Sequence, residues 1–300
     1  MNLGEAYLNG EWIDAARLCL PLDDLGVLLG AAVVERLRTF SHQPFRIDDH
    51  VRRLRRSLDI VGWDAARLCA AVQQALGEFP SRNAPHMAPG DDWSLVALVT
   101  PGKTADAASP TVCVHGFPLP FSAWANKFDQ GVALRIVSVR QVPATCWPPE
   151  MKCRSRIHYY LADREAAEIE PDARALLLDQ EGFIGEASTA NVVCYFRDRG
   201  LVTPRLAKVL PGISQEVLFE LARELGVARS EDDLLPEQFA AADEIFLTST
   251  SVCLLPVVRV DGRQVGAGKP GPMFHQLLAK WSKYVGVDVA AQARQCAGRA

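Results

Sequence analysis

Apolar and polar positions along the chain follow two periods, and neither is sustained for long. Ala6 to Trp12 reads as a hairpin, with Asn9-Gly10 supplying the turn pair. Val27 to Phe40 begins apolar and gains charge at Glu35, Arg36 and Arg38, which predicts a helix running into a strand. Asp48 to Ile60 places Val51, Leu54 and Leu58 on one helical face, with Asp48 or Asp49 as the cap. A second helix is expected over Asp64 to Phe79, and a short strand over Leu95 to Thr100. Phe117 to Trp124 (FPLPFSAW) is rich in proline and aromatic residues between two strand-like runs, and marks a domain boundary near residue 120.

Beyond that point the pattern predicts a strand over Val132 to Val139 and a helix over Ile157 to Glu168. Further strands are expected at Ala175 to Leu178, Asn191 to Phe196, Gly200 to Thr203, Glu244 to Thr248 and Val257 to Val260. A helix from Ser214 to Leu225 stops at Gly226, and Gly271-Pro272 opens the last helix, which ends near Tyr284. Helices and strands mix without regular βαβ alternation. That predicts an α+β fold in two domains, a small N-terminal α/β domain over 1–120 and a larger one over 121–300.

Composition narrows the function. A chain of 300 residues with 49% hydrophobic content can build a real core. A net charge of −4 provides no general basic field, so neither nucleic acid nor an anionic membrane is expected as a partner. The N-terminus shows no basic stretch followed by an apolar run, and no apolar segment reaches the roughly 20 residues that span a bilayer. Eight cysteines form no C-x-x-C pair and none stands at ligand spacing from a histidine. Reduced thiols, a cytoplasmic location and no metal site are the expectation. G-x-S-x-G, Walker A and G-x-G-x-x-G motifs are absent, which removes support for hydrolase, kinase and nicotinamide chemistry.

Four segments carry candidate chemistry. Lys152, one of only seven lysines, follows the loop Trp147-Pro148-Pro149-Glu150; withdrawn from water it would be a nucleophile toward carbonyls. With Arg154 and Arg156 after it, the same segment also reads as a surface basic cluster. Leu210-Pro211-Gly212-Ile213-Ser214 turns the chain into a helix whose first N–H groups suit a phosphate, or simply into a Ser-capped helix. Thr248-Ser249-Thr250-Ser251 after an apolar strand is a second phosphate grip or a hydrogen-bonded turn. Glu186 could pair with a protonated ring nitrogen or be solvated in a loop, and one of Arg52, Arg53, Arg55 and Arg56 could reach a phosphate from a basic helix face.

Taken in order, these segments resemble the class IV aminotransferases, the fold-type IV enzymes that use pyridoxal 5'-phosphate (PLP) and include branched-chain and D-amino acid aminotransferases and aminodeoxychorismate lyase. The resemblance lies in EMKCRSRIHYYLADREA, ALLLDQEGFIGEASTANVV, LVTPRLAKVLPGISQEVLFELARELG and AADEIFLTSTSVCLLPVVRVDGRQVGAGKPGP, with YLNGEW and FRIDDHVRRL upstream. It implies a two-domain, D-amino acid aminotransferase-like fold whose C-terminal domain carries the PLP lysine. It implies that Lys152 is the Schiff-base lysine and proton shuttle, and that Glu186 pairs with the pyridine nitrogen. Arg53, Ile213, Ser214, Ser249 and Thr250 would bind the phosphate. It further implies a site between the two domains and a homodimer.

The chain departs from that pattern at Ala187, Gln215 and Cys253-Leu254, at Leu95 where some members carry a substrate arginine, and at Pro101-Gly102-Lys103-Thr104 in place of the lyase's R-G-Y. The expected activity is amino transfer between an amino acid or amine and a 2-oxo acid. Aminodeoxychorismate lyase and a non-catalytic binding protein on the same fold are the alternatives. Arg38, Arg154, Arg156, His158 and Tyr159 are the candidates for the substrate carboxylate.

Overall fold

Asn9 and Gly10 have φ of 51° and 102°, the pair of positive values that lets two strands reverse with matching twist. This turn joins β1 (Glu5–Leu8) to β2 (Glu11–Asp14) in the computed structural model, which describes residues 4–88, 90–103 and 109–299. Met1 to Leu3 and Thr104, used in reading the sequence, lie outside the described residues. The chain divides into two compact units, one of Met1–Leu119 with Met151–Ser155, the other of Pro120–Glu150 with Arg156–Ala300.

The first unit adds α1 (Leu25–Leu28), β3 (Val33–Phe40), β4 (Gln43–Pro44), α2 (Ile47–Val61), α3 (Ala65–Asn83), β5 (Trp93–Thr100) and β6 (Thr111–Pro118). Its sheet runs β2-β1-β6-β5-β3-β4, with antiparallel neighbours throughout. Val33 and Leu37 of β3, Leu95, Ala97 and Val99 of β5, and Val114 of β6 form one core with Leu54 and Leu58 of α2 and Leu76 and Phe79 of α3. Leu54 and Leu58 are fully buried, each contributing about 1.5–3 kcal/mol.

Two helix ends differ from expectation. No aspartate caps α2: Arg46 precedes it with φ 58°, and the Asp49 carboxylate accepts from Arg46 and Arg52 instead. Helix α3 continues past Phe79, through Pro80, to Asn83. The Asn83 side chain accepts from Glu5 N–H and donates to Glu5 O, which ties this last turn to β1.

The second unit contains α4 (Lys127–Gln130), β7 (Val132–Ile136), α5 (Ile157–Ile169), β8 (Arg174–Leu178), β9 (Ile184–Ala187), β10 (Asn191–Phe196) and β11 (Gly200–Thr203). After these come α6 (Ile213–Glu224), β12 (Arg229–Glu231), α7 (Pro236–Ala240), β13 (Glu244–Ser249), β14 (Cys253–Val260), β15 (Arg263–Gln264), α8 (Pro272–Val285) and α9 (Val289–Cys296). The strand order is β12-β11-β10-β13-β14-β7-β8-β9, with β15 on β14, and parallel and antiparallel pairs are mixed. Ala162 and Ala166 seat α5 on Ala175 and Leu177 of β8; their small side chains let helix and strand approach closely. The chain does not end its helices near Tyr284, because Asp288 caps α9 by accepting from Ala291 N–H.

Candidate active site

In the first unit the site begins on α2. His50, Arg53, Leu54, Ser57 and Leu58 recur at helical spacing and are all buried, so one stripe is both core and polar cluster. Of the four arginines here Arg53 alone is buried, while Arg52, Arg55 and Arg56 are solvated. Burial is possible because Glu35 on β3 meets the guanidinium through both carboxylate oxygens. Arg53 Nε donates to Oε1 at 2.8 Å and Nη2 to Oε2 at 2.7 Å. His50 Nδ1 lies 2.7 Å from the same Oε2.

Burial pushes the Glu35 carboxyl up, but the Arg53 guanidinium and His50 outweigh it and hold the group well below the usual carboxylate range. Burial pushes His50 down, so this ring favours its neutral form. The sequence reading missed Glu35 and His50 as partners of Arg53. The signal was present: alternation in VVERLRTF puts Glu35 on the inner face between Val33 and Leu37, where a carboxylate needs a cation.

Lys152 lies in the first unit, not in the larger domain where the sequence placed it. The strap Met151–Ser155 pairs with the start of β3: Val34 N–H donates to Lys152 O and Arg154 N–H to Ala32 O, both at 2.9 Å. Ser57 Oγ accepts from Lys152 N–H at 3.1 Å and donates to Arg53 O. Arg53 and Lys152 are thus coupled through one serine a helical turn beyond Arg53.

The second unit brings together a carboxylate and a helix start. Glu186 on β9 is buried and accepts from the Tyr159 hydroxyl of α5 at 2.5 Å. Burial first, then the Glu186 charge, raise the Tyr159 pKa well above its ordinary value, so this phenol stays a donor. One turn along α5, Asp163 accepts from Ser188 Oγ at 2.5 Å, a second rung between the same helix and the chain after β9. Asn191 Nδ2 reaches Glu186 at 3.4 Å and Leu210 O at 2.8 Å, linking the carboxylate to the loop that opens α6. The sequence reading did not single out Asn191.

At that opening Gly212 has no room for a side chain, since a Cβ would stand 2.0 Å from Asn191 Oδ1. Ile213 and Ser214 begin α6 without a side-chain cap. Thr248 pairs in register with Asn191, and its buried Oγ1 has no hydrogen-bond partner among the described residues. Ser249 ends β13 and Thr250 stands in the following turn.

The remaining candidates scatter. Arg38 is buried in the first unit, its Nη2 3.7 Å from Asp92 and its guanidinium 4.0 Å above Phe40, so its charge is used inside the fold. Arg154 is exposed, and Arg156 stands just before α5. His158 packs on Tyr159 with ring centroids 4.1 Å apart; burial, then Arg156, keep its pKa below the ordinary histidine value. Among the described residues no group of three His, Cys, Asp or Glu side chains could hold a metal ion, and no helix is long and apolar enough to cross a membrane.

These residues fit a phosphorylated pyridine aldehyde. A helix start with uncapped N–H groups, a glycine whose Cβ would displace Asn191 and an unpartnered threonine hydroxyl suit a phosphate. An anionic carboxylate held by a neutral donor suits a pyridinium N–H.

Comparison with known proteins agrees. The family described as amino-transferase class IV matches residues 32–260. The chain is 28% identical over 282 residues to the branched-chain-amino-acid aminotransferase of Salmonella typhimurium, covering 90% of this chain and 89% of that protein. It is 25% identical over 275 residues to the D-alanine aminotransferase of Bacillus licheniformis, covering 90% and 93%. Among solved structures, the branched-chain aminotransferase of Thermoproteus uzoniensis with norvaline superposes with a TM-score of 0.80 at 24% identity, covering 94% and 95%. The T.th. branched-chain amino acid aminotransferase with pyridoxamine 5'-phosphate gives 0.83 at 23% identity, covering 95% of each chain. The chain belongs to the class IV aminotransferases, enzymes that use pyridoxal 5'-phosphate, and it has their fold.

Proposed function

We propose that this enzyme moves an amino group between an amino acid and a 2-oxo acid, with Lys152 as its cofactor-bearing and proton-transferring residue. The observation that carries the reading is the Tyr159–Glu186–Asn191 chain, which joins a buried anion to the start of α6. When bound, PLP supplies an aldehyde that condenses with amines and a ring that accepts electrons from the substrate Cα. Arg53, the N–H groups of Ile213 and Ser214, and the hydroxyls of Ser249 and Thr250 are the residues that would hold its phosphate.

The Glu186 carboxylate would accept a hydrogen bond from the protonated pyridine nitrogen, and Tyr159 keeps that carboxylate oriented. Lys152 Nζ would take the proton from the substrate Cα and return it at the cofactor's C4' carbon. Tyr159, a substrate candidate in the sequence, serves here as the partner of Glu186. Adding amino acids one at a time to the yellow holoenzyme tests the activity: the right donor moves absorbance from the visible into the near ultraviolet, and a 2-oxo acid restores it. A panel of L- and D-amino acids and amines without any shift sinks the reading, and pyruvate release without a co-substrate points to the lyase.

Gly212→Ala is expected to weaken PLP binding roughly tenfold, because the added methyl pushes Asn191 away from Glu186 and Leu210. Equilibrium dialysis measures this directly; unchanged affinity would remove the α6 opening from the site.

The enzyme is proposed to act as a cytoplasmic homodimer. On α5, Ile157, Tyr160 and Leu161 fall at helical spacing with 69%, 64% and 40% exposure, an apolar face that water does not favour. Leu22, Leu28 and Leu29 of the first unit are likewise exposed. Light scattering is expected to give about twice the 32.8 kDa chain mass, and the Ile157→Glu/Tyr160→Glu variant to give the monomer. A wild type that is monomeric at micromolar concentration rules the dimer out.

A further inference from the structure

Ser57 stands inside α2, fully buried, at a position where helix stability alone would favour alanine. A buried hydroxyl needs partners, and this one has two. It donates to Arg53 O at 3.3 Å, one turn back, a bond that slightly weakens a helix. With its proton directed there, the oxygen keeps a lone pair for Lys152 N–H, which donates to it at 3.1 Å.

The strap Met151–Ser155 is otherwise tied to the chain at and just before the start of β3. Lys152 O accepts from Val34 N–H and Ala32 O from Arg154 N–H, both at 2.9 Å, and Ser155 Oγ donates to Gly30 O at 2.8 Å. Ser57 adds an anchor from a different element, α2. Both backbone groups of Lys152 are thereby engaged, the carbonyl by β3 and the amide by α2, so the motion left to this residue is chiefly that of its side chain. The same helical turn carries Arg53, itself locked by two bonds to Glu35.

We propose that Ser57 is a positioning residue of the reaction: its hydroxyl fixes the Lys152 backbone against α2, so that the lysine amine meets its carbonyl partner in one geometry. The proposal rests on the reading of Lys152 as the cofactor-bearing residue. A displacement of about 1 Å in a reacting group can cost up to about a hundredfold in rate, which is why a hydroxyl far from the amine can matter to its chemistry.

Two measurements on the full chain test this without turnover. The first is hydrogen exchange at the Lys152 amide in protein freed of cofactor. The second is the rate of covalent attachment when PLP is added, in which Nζ joins the aldehyde carbon and water leaves, followed by absorbance and trapped with borohydride. Ser57→Ala is expected to speed exchange roughly three- to tenfold, the worth of one hydrogen bond, and to slow attachment roughly tenfold. Ser57→Thr keeps the oxygen and is expected to restore both. Should Ser57→Ala fail to fold, Ser57→Cys, a poorer acceptor of similar shape, replaces it with the same expectation. Asn83→Ala, which frees the end of α3 from β1 in the same unit, is expected to change neither.

Faster exchange with unchanged attachment reduces Ser57 to a structural role and overturns the proposal. Slower attachment with unchanged exchange, or an equal effect of Asn83→Ala, overturns it as well. Borohydride label on a lysine other than Lys152 sinks the reading of Lys152 itself, whereas label on Lys152 in a Ser57→Ala protein that behaves as wild type sinks only the role of Ser57.

Discussion

Lys152→Ala is expected to lower kcat by at least about 10²–10⁴-fold, the range a positioned proton-transfer group contributes. The loss should exceed that of any other single change, because the same amine both anchors the cofactor and moves the proton. Its backbone is held from two sides, by Val34 N–H on the carbonyl and by Ser57 Oγ on the amide. Removing the side chain therefore leaves the strap in place, and the variant should fold and still bind PLP without covalent attachment. Borohydride reduction followed by peptide mapping checks this: the wild type should carry label on the EMK peptide and the variant none. Label on a different lysine, or full activity in the variant, would end the proposed mechanism.

The second large effect is on stability. Glu35→Ala leaves Arg53 buried without its bidentate partner and removes the acceptor of His50, so a destabilisation of about 3–5 kcal/mol is expected. For a unit of this size that lowers Tm by about 6–20 °C. Glu35→Gln keeps the shape and part of the hydrogen bonding, and should fall between.

The same cluster sets the acid limb of stability. His50 is depressed by burial, so folded protein binds fewer protons than unfolded protein as pH falls below the ordinary histidine value of 6.5. Glu35 is depressed against its burial by Arg53 and His50, which adds the same sign below 4.5. Stability is thus full above pH 6.5, declines as acid is added and steepens below 4.5. Thermal melts between pH 3 and 8 measure it. A Glu35→Gln protein with the same slope below 4.5 as the wild type would show that this carboxylate is not the group responsible.

Local patterns revealed most elements. The Asn9-Gly10 hairpin, the strands Asn191–Phe196 and Gly200–Thr203, and the α6 opening at Gly212 each depend on residues close in sequence, whose turn chemistry or alternation acts locally. The extension of α3 to Asn83 escaped because a two-way bond to β1 holds it, whereas α9 opens on a local cap, Asp288, that the sequence reading passed over. Among the four arginines of α2, spacing alone did not distinguish Arg53. Its burial follows from Glu35, 18 residues upstream, and no local rule sees that pairing.

By itself the sequence determined the α+β class, the family, the cofactor and which lysine and glutamate to examine, because these reside in short ordered segments with their own turn and helix-start chemistry. Only the tertiary structure decided that Lys152 packs with the N-terminal unit, that Tyr159 serves Glu186, and that Arg38 turns to Asp92 and Phe40. Each of those outcomes is a choice of partner between distant segments. Burial fixes such choices, since a charge removed from water must find its counterpart wherever the fold brings one.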